Sequence, residues 1–139
     1  MIPQYSLDYQ VMYYDTDCGG VVHNLAYLRW VEECRSKMCA HLGIDYTEMA
    51  KRGLHAVLVR TEVDYYAPAM LSDICRVQGI VERAHGSSLW VRVEVRRAAD
   101  DKLLVSVHQR LALVQMPQGR PQRVPTEWAA LAAPAEAQS

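Results

Sequence analysis

Several things are scarce in this sequence, and each scarcity excludes a class of function. No sign of charge predominates: 15 lysines and arginines face 16 aspartates and glutamates, for a formal net charge of −1. Nothing in that balance forms the broad basic field that nucleic acid or an anionic membrane surface would require. Long apolar runs are also missing, because charged residues interrupt every hydrophobic stretch, so no membrane insertion is expected. The first residues show no basic stretch followed by a hydrophobic core, which argues against a signal peptide and sets the expected location as cytoplasmic. Cysteine pairs are absent too. Cys18, Cys34, Cys39 and Cys75 contain no Cys-x-x-Cys and have no histidine at zinc-ligand spacing, so no structural metal is expected.

No internal repeat or linker divides residues 1–116, and a chain of 139 residues suits one domain. Tyr27, Val31, Cys34, Met38 and Leu42 recur at three- and four-residue intervals, with Arg29, Glu32, Glu33, Arg35, Ser36 and Lys37 between them. That pattern predicts one long amphipathic helix over Leu25 to Leu42, with Gly43 as its stop. Asp45 and Glu48 then resemble a cap for a short second helix ended by Gly53. Four β-like runs follow, His55 to Tyr66, Ile74 to Arg83, Leu89 to Arg97 and Leu103 to Gln115, separated by Pro68 with Ser72-Asp73, by Gly86-Ser87-Ser88 and by Asp100-Asp101. With a first strand near Tyr5 to Tyr14, the expectation is an α+β domain of five antiparallel strands whose apolar face is covered by the long helix. From Pro117 the composition shifts to Pro, Gln, Arg and Ala. Thr126 to Ala132 suits a helical turn with Trp128 packed back on the domain. The domain is expected to close near residue 128, with residues 129–139 as a flexible tail that frays from Pro134 to Ser139.

The segment Asp15 to Tyr27, Asp-Thr-Asp-Cys-Gly-Gly-Val-Val-His-Asn-Leu-Ala-Tyr, falls where strand-like alternation gives way to helical spacing. A helix start presents backbone N–H groups without partners, and adjacent glycines allow both a tight turn and close approach of a ligand to the main chain. Acidic residues there also serve as ordinary caps. The junction is nevertheless suited to polarising a carbonyl beside a carboxylate. Cys18 adjoins Asp17, and a neighbouring carboxylate raises a thiol's pKa, which disfavours a cysteine nucleophile.

Val21-Val22 after the glycines, a polar pair, and then Tyr27-Leu28-Arg29-Trp30 resemble the signature of the 4-hydroxybenzoyl-CoA thioesterase family of hot-dog folds, particularly its bacterial acyl-CoA thioesterase branch associated with the Tol-Pal system. Val59 to Ala69 and then Gly86-Ser87-Ser88-Leu89 keep the family's order and approximate spacing, so the resemblance spans roughly residues 5 to 128. It implies a sheet wrapped around a central helix, and hydrolysis of an acyl-CoA thioester with no metal or organic cofactor. Asp17 falls on the family's working carboxylate, a general base or a nucleophile according to the member, and Asn24 falls on its carbonyl-polarising backbone N–H. Asp15 matches a second acidic position, read as supporting. The chain departs from the branch at His23-Asn24, where a tyrosine followed by a histidine is common. A one-residue shift at a helix start turns a side chain by about 100°, so His23 is not presumed to take over that role; it is kept as a catalytic candidate against a capping or surface histidine.

Gly20, Val22, Tyr27, Tyr65, Pro68, Gly86, Ser87 and Ser88 are the candidate substrate-binding positions, with the Gly86-Ser87-Ser88 strip offering donors to coenzyme A. Tyr65, Tyr66 and Pro68 are read as shaping an acyl pocket of short-chain or aromatic preference. Arg60, Arg83, Arg92 and Arg97 are candidate phosphate contacts. The expected partners are the acyl-CoA substrate and further copies of the chain, as a homodimer or a homotetramer built from dimers, because an open sheet leaves an edge to be paired. A hot-dog hydratase or dehydratase and a non-catalytic acyl-CoA-binding protein are the competing readings.

Overall fold

The computed structural model describes residues 1–139. Strand β1 (Tyr5–Gln10) alternates half-buried Tyr5, Leu7 and Tyr9 with exposed Ser6, Asp8 and Gln10. Helices α1 (Asn24–His41) and α2 (Tyr46–Lys51) follow, then β2 (Leu54–Tyr65), β3 (Ile74–His85), β4 (Ser88–Arg97), β5 (Lys102–Gln115), a two-residue β6 (Arg120–Pro121), a 3-10 turn at Thr126–Leu131 and a short α3 (Ala135–Gln138). All pairings are antiparallel, in the order β1-β3-β4-β5-β2, with β6 added to β5. The chain therefore lays β2 at the edge opposite β1, and each of these two strands has one neighbour in the sheet.

The sheet curls around α1, which packs on β1, β3 and β4. Val77, Val93, Val95, Val105 and Val107 from the sheet meet Tyr27, Trp30, Val31 and Cys34 from the helix in one buried cluster. Met38, Cys39, Ile44, Val81, Leu89, Val91, Leu111 and Trp128 continue the core below it. Gly79 of β3 sets the depth at which the helix lies. A Cβ there would stand 3.0 Å from Met38 Sδ and 3.2 Å from Cys34 Sγ.

The helix and four of the expected strands lie within a residue or two of their predicted ends. The first strand is shorter than expected. It stops at Gln10 instead of reaching Tyr14, because Val11 turns into the core and Met12 to Asp15 close a 3-10 turn in which the Met12 N–H donates to Asp15 Oδ2 at 2.9 Å. The sheet also gains β6, two residues within the Pro- and Gln-rich stretch after Pro117 that carry no strand-like pattern. Arg35, expected on the solvated side of α1, is buried instead: its guanidinium donates to Gln109 Oε1 of β5 at 2.7 Å and is paired with Glu32. Residues 129–139, expected to be a flexible tail, are packed on the sheet. Ala133 N–H donates to Val81 C=O and Ile2 N–H to Ala137 C=O, both at 2.8 Å, while Ala133 and Ala137 are buried against Ile80. Alanines are small enough to lie flat there, so an Ala-rich segment buries backbone as well as side chains.

Candidate active site

The residues between Thr16 and His23 fold back on themselves. Asp17 N–H donates to Val21 C=O at 2.9 Å, Gly20 N–H returns to Asp17 C=O at 3.1 Å, and Asp17 Oδ1 accepts the Gly19 N–H at 2.8 Å. Gly20 closes the turn with φ of 79°, a left-handed conformation that costs glycine little. The turn is fastened to the segment after β2: Val22 N–H donates to Ala69 C=O at 2.9 Å, and Val21 bridges Met70. Asp15 lies behind the turn, buried, its carbonyl accepting the His23 N–H at 2.7 Å.

His23 is the N-cap of α1. Its Nδ1 accepts the Leu25 N–H at 3.1 Å, and its carbonyl accepts the Ala26 N–H at 2.9 Å. Asn24 is the first helical residue, and its N–H has no acceptor in the chain. The free donor stands at the positive end of an 18-residue helix.

Beside it opens a cavity of about 280 Å³ lined by Val22, Asn24, Tyr27, Tyr65, Tyr66, Ala67 and Pro68. Tyr27 is buried and its hydroxyl accepts the Ala69 N–H at 2.9 Å. Burial pushes the Tyr27 phenol above its ordinary range, so it stays protonated at neutral pH. Tyr65 stands 6.0 Å from it, centroid to centroid, and donates from its hydroxyl to Asn24 C=O at 3.1 Å. The walls are aromatic, and the unpaired Asn24 N–H sits at the rim.

Of the sequence-predicted positions, Val22, Asn24, Tyr27, Tyr65 and Pro68 converge on this cavity. Asp17, Gly20 and His23 lie on the adjoining turn and cap but do not line it. Asp17 is exposed. Gly86, Ser87 and Ser88 are not brought to the site within one chain. Gly86 and Ser87 form the β3–β4 turn and Ser88 opens β4, at the end of β3 opposite Ile74, and none of the three lines the cavity. The four candidate arginines are already engaged: Arg60 pairs with Glu62, Arg83 stacks over the Trp90 ring at 4.9 Å, Arg92 donates to Gln138 C=O, and Arg97 is held by Asp73, Asp100 and Pro68. Cys18 is exposed, whereas burial pushes the Cys34 thiol up to about 12 and Cys75 to about 11. Ala67 and the backbone of Ala69 were not singled out in the sequence. Neither carries a reactive side chain: Ala67 lines the cavity with its N–H on Leu104 C=O, and the main chain of Ala69 is brought by the fold to Tyr27 and Val22.

The family model that matches this chain is the thioesterase-like superfamily, over residues 11–132. A protein named acyl-CoA thioester hydrolase YbgC, from Escherichia coli O6:H1, is 34% identical over 80 residues, which are 58% of this chain and 60% of that protein. The matched stretch thus spans about three fifths of the length of the first curated relatives. A Haemophilus influenzae protein named acyl-CoA thioesterase YbgC is 27% identical over 124 residues, covering 88% of this chain and 90% of its own. Among solved structures, Slr0204 from Synechocystis, a 1,4-dihydroxy-2-naphthoyl-CoA thioesterase, superposes with a TM-score of 0.81 at 22% identity, over 89% of this chain and 91% of that one. At that identity the superposition shows the fold, a curled antiparallel sheet around a helix as in hot-dog thioesterases. With the family model spanning residues 11–132, the chain belongs to the thioesterase-like superfamily.

Proposed function

We propose that this protein hydrolyses an acyl-CoA thioester to the free acid and coenzyme A. The observation that carries the reading is the unpaired Asn24 N–H at the rim of a tyrosine-lined cavity. A thioester carbonyl seated there receives a hydrogen bond from the first amide of α1, and that bond strengthens as the oxygen gains charge. Asp17, on the turn that leads into the helix, is the carboxylate that activates water or attacks the carbonyl directly. The acyl group occupies the space between Tyr27, Tyr65 and Pro68, which suits a short aliphatic chain or an aromatic ring. His23 serves as the cap, since its Nδ1 is committed to Leu25 and no carboxylate contacts its ring. That geometry also counts against a dehydratase, whose chemistry needs a histidine with an acidic partner.

A second copy of the chain completes the site in this reading. β2 has an open edge carrying exposed Val57, Leu58 and Val59. Antiparallel pairing of two such edges about a two-fold axis sets the Leu54 end of one copy beside the Tyr65 end of the other. Val57, Ala112 and Ser88 lie in one register row, so the Gly86–Ser88 turn belongs to the Leu54 end and comes from the second copy toward the site of the first. The dimer is the minimal active unit, and a tetramer would be two of them.

Incubation of the purified protein with a panel of acyl-CoAs and a thiol-trapping reagent tests the activity. Release of free thiol that depends on Asp17 supports it. Tight binding without thiol release would establish a binding protein in its place.

A further inference from the structure

We propose that Arg97 is a positioning residue, which fixes the Asp17 turn against the Asn24 N–H by clamping the Pro68–Asp73 segment. The inference rests on the reading of Asp17 and Asn24 given above. Arg97 ends β4 and lines no part of the acyl cavity. Its side chain is only 21% exposed, and its guanidinium spends three N–H donors on fixed acceptors: Nη2 on Pro68 C=O at 3.1 Å, Nε on Asp73 Oδ2 at 3.2 Å and Nη1 on Asp100 Oδ2 at 3.0 Å. Asp73 Oδ2 also takes the Met70 N–H at 2.9 Å. One planar fork thus grips the segment at its first residue and its last.

What hangs on that segment is the site. Ala69 accepts from Val22 through its carbonyl and donates to the Tyr27 hydroxyl, and Met70 bridges Val21. Tyr66 and Ala67 are tied to Leu104 C=O on one side, and Ser72 and Asp73 to Val11 on the other. Between these ties the chain has no strand or helix of its own, and Arg97 spans the gap. A lysine offers a point charge without the fork, and reaches one acceptor where arginine holds three. Displacing a reacting group by about 1 Å can reduce turnover about a hundredfold.

The test compares Arg97→Lys, Asp73→Asn and Asp100→Asn by steady-state kinetics and by backbone hydrogen exchange. Arg97→Lys should lower kcat by about 10- to 100-fold with KM within about threefold, and should speed exchange over Asp17 to Asn24 while β3 and β4 keep their protection. Asp73→Asn removes one of the two grips and should show the same split at reduced size; it decides the matter if Arg97→Lys fails to fold. Asp100→Asn leaves the segment held and should resemble the parent protein in both readouts. A raised KM at unchanged kcat would overturn the proposal and make Arg97 a phosphate contact of the substrate. Unchanged exchange over Asp17 to Asn24 would also overturn it. If the parent protein released no thiol from any acyl-CoA, the hydrolase reading would fail while the exchange comparison still decided the clamp.

Discussion

The hydroxyl of Tyr27, on the buried face of α1, accepts a hydrogen bond from the backbone N–H of Ala69 at 2.9 Å and so joins the helix to the irregular segment that forms the far wall of the cavity. Removing the acceptor as Tyr27→Phe leaves that buried N–H unpaired, a loss of about 1–3 kcal/mol. Urea unfolding should show a lowered midpoint at unchanged slope. A midpoint equal to the parent's would mean that the bond contributes nothing net.

Asp17→Asn keeps the shape of the side chain and its acceptor oxygen for Gly19 while removing the charge. The proposed chemistry predicts a fall in kcat of at least about a hundredfold, within the range of general-base contributions, with circular dichroism unchanged. Cys18→Ala should leave the rate within about twofold, since no base or cation activates that thiol. An inactive, folded Cys18→Ala beside an active Asp17→Asn would replace the mechanism with a thiol one.

The donor at Asn24 can be deleted cleanly, because the fold puts this residue at the first helical position, where proline is favoured. His23 already has φ −61° and ψ 136°, the extended conformation that a following proline demands. Asn24→Pro should therefore fold with its helix intact and lose about 10²–10³ in kcat, as expected for one oxyanion donor. Asn24→Ala retains the N–H and should retain most of the activity. Equal and severe losses in both variants would assign the work to the amide side chain.

Stability at alkaline pH should depend on three buried thiols, Cys34, Cys39 and Cys75, each raised by burial. The unfolded chain releases a thiol proton near pH 9.0, whereas burial holds the proton of folded Cys34 to about 12 and of Cys75 to about 11. The unfolded state then binds fewer protons across that interval, so stability is complete below pH 9 and falls as pH rises. Each thiol adds a slope approaching about 1.4 kcal/mol per pH unit. Denaturation at stepped pH should show this decline, and Cys34→Ala with Cys75→Ala should lessen it while leaving the share that buried Cys39, Tyr27 and Tyr46 contribute. A parent protein equally stable at pH 8 and pH 10.5 would refute the assignment.

Association should govern activity. Light scattering across a dilution series, read beside specific activity, should show a fully active dimer of about twice 15.8 kDa. A charge on the open edge, Val59→Lys, should shift the equilibrium toward monomer and reduce activity in step. A fully active monomer would refute the shared site.

The strands and the long helix were legible because their periodicities are strong and the turn residues between them are unambiguous. The junction at Asp15 to Tyr27 was legible for the same reason, as a change of period across paired glycines. Arg35 was not. A glutamate three residues before an arginine on a helix looks like a solvated pair, and only the fold shows Gln109 arriving from β5 to replace water. The segment after Tyr65 was half legible. Its tyrosines and Pro68 announce a pocket wall, but its fastening to Val22, Tyr27 and Arg97 depends on main-chain groups and on partners about 30 to 50 residues away in sequence, which no local pattern records. The Gly86–Ser88 strip shows the converse, a segment legible as a donor-rich turn whose distance from Asp17 within one chain could not be read from spacing.

Gly79 gives the core and the proposed site a shared mechanical reference. The helix that presents the Asn24 amide is seated on β3 where Met38 and Cys34 nearly touch a residue with no side chain. Any larger residue there must lift the helix or displace those sulfurs, and a close-packed interior passes such a lift along a stiff rod to its end. If the proposed hydrolysis holds, laboratory evolution toward a new acyl group should therefore collect changes on β3 and the buried face of α1 as well as at the tyrosines. A survey of substitutions scored only by distance from the cavity would misfile them as stability mutations.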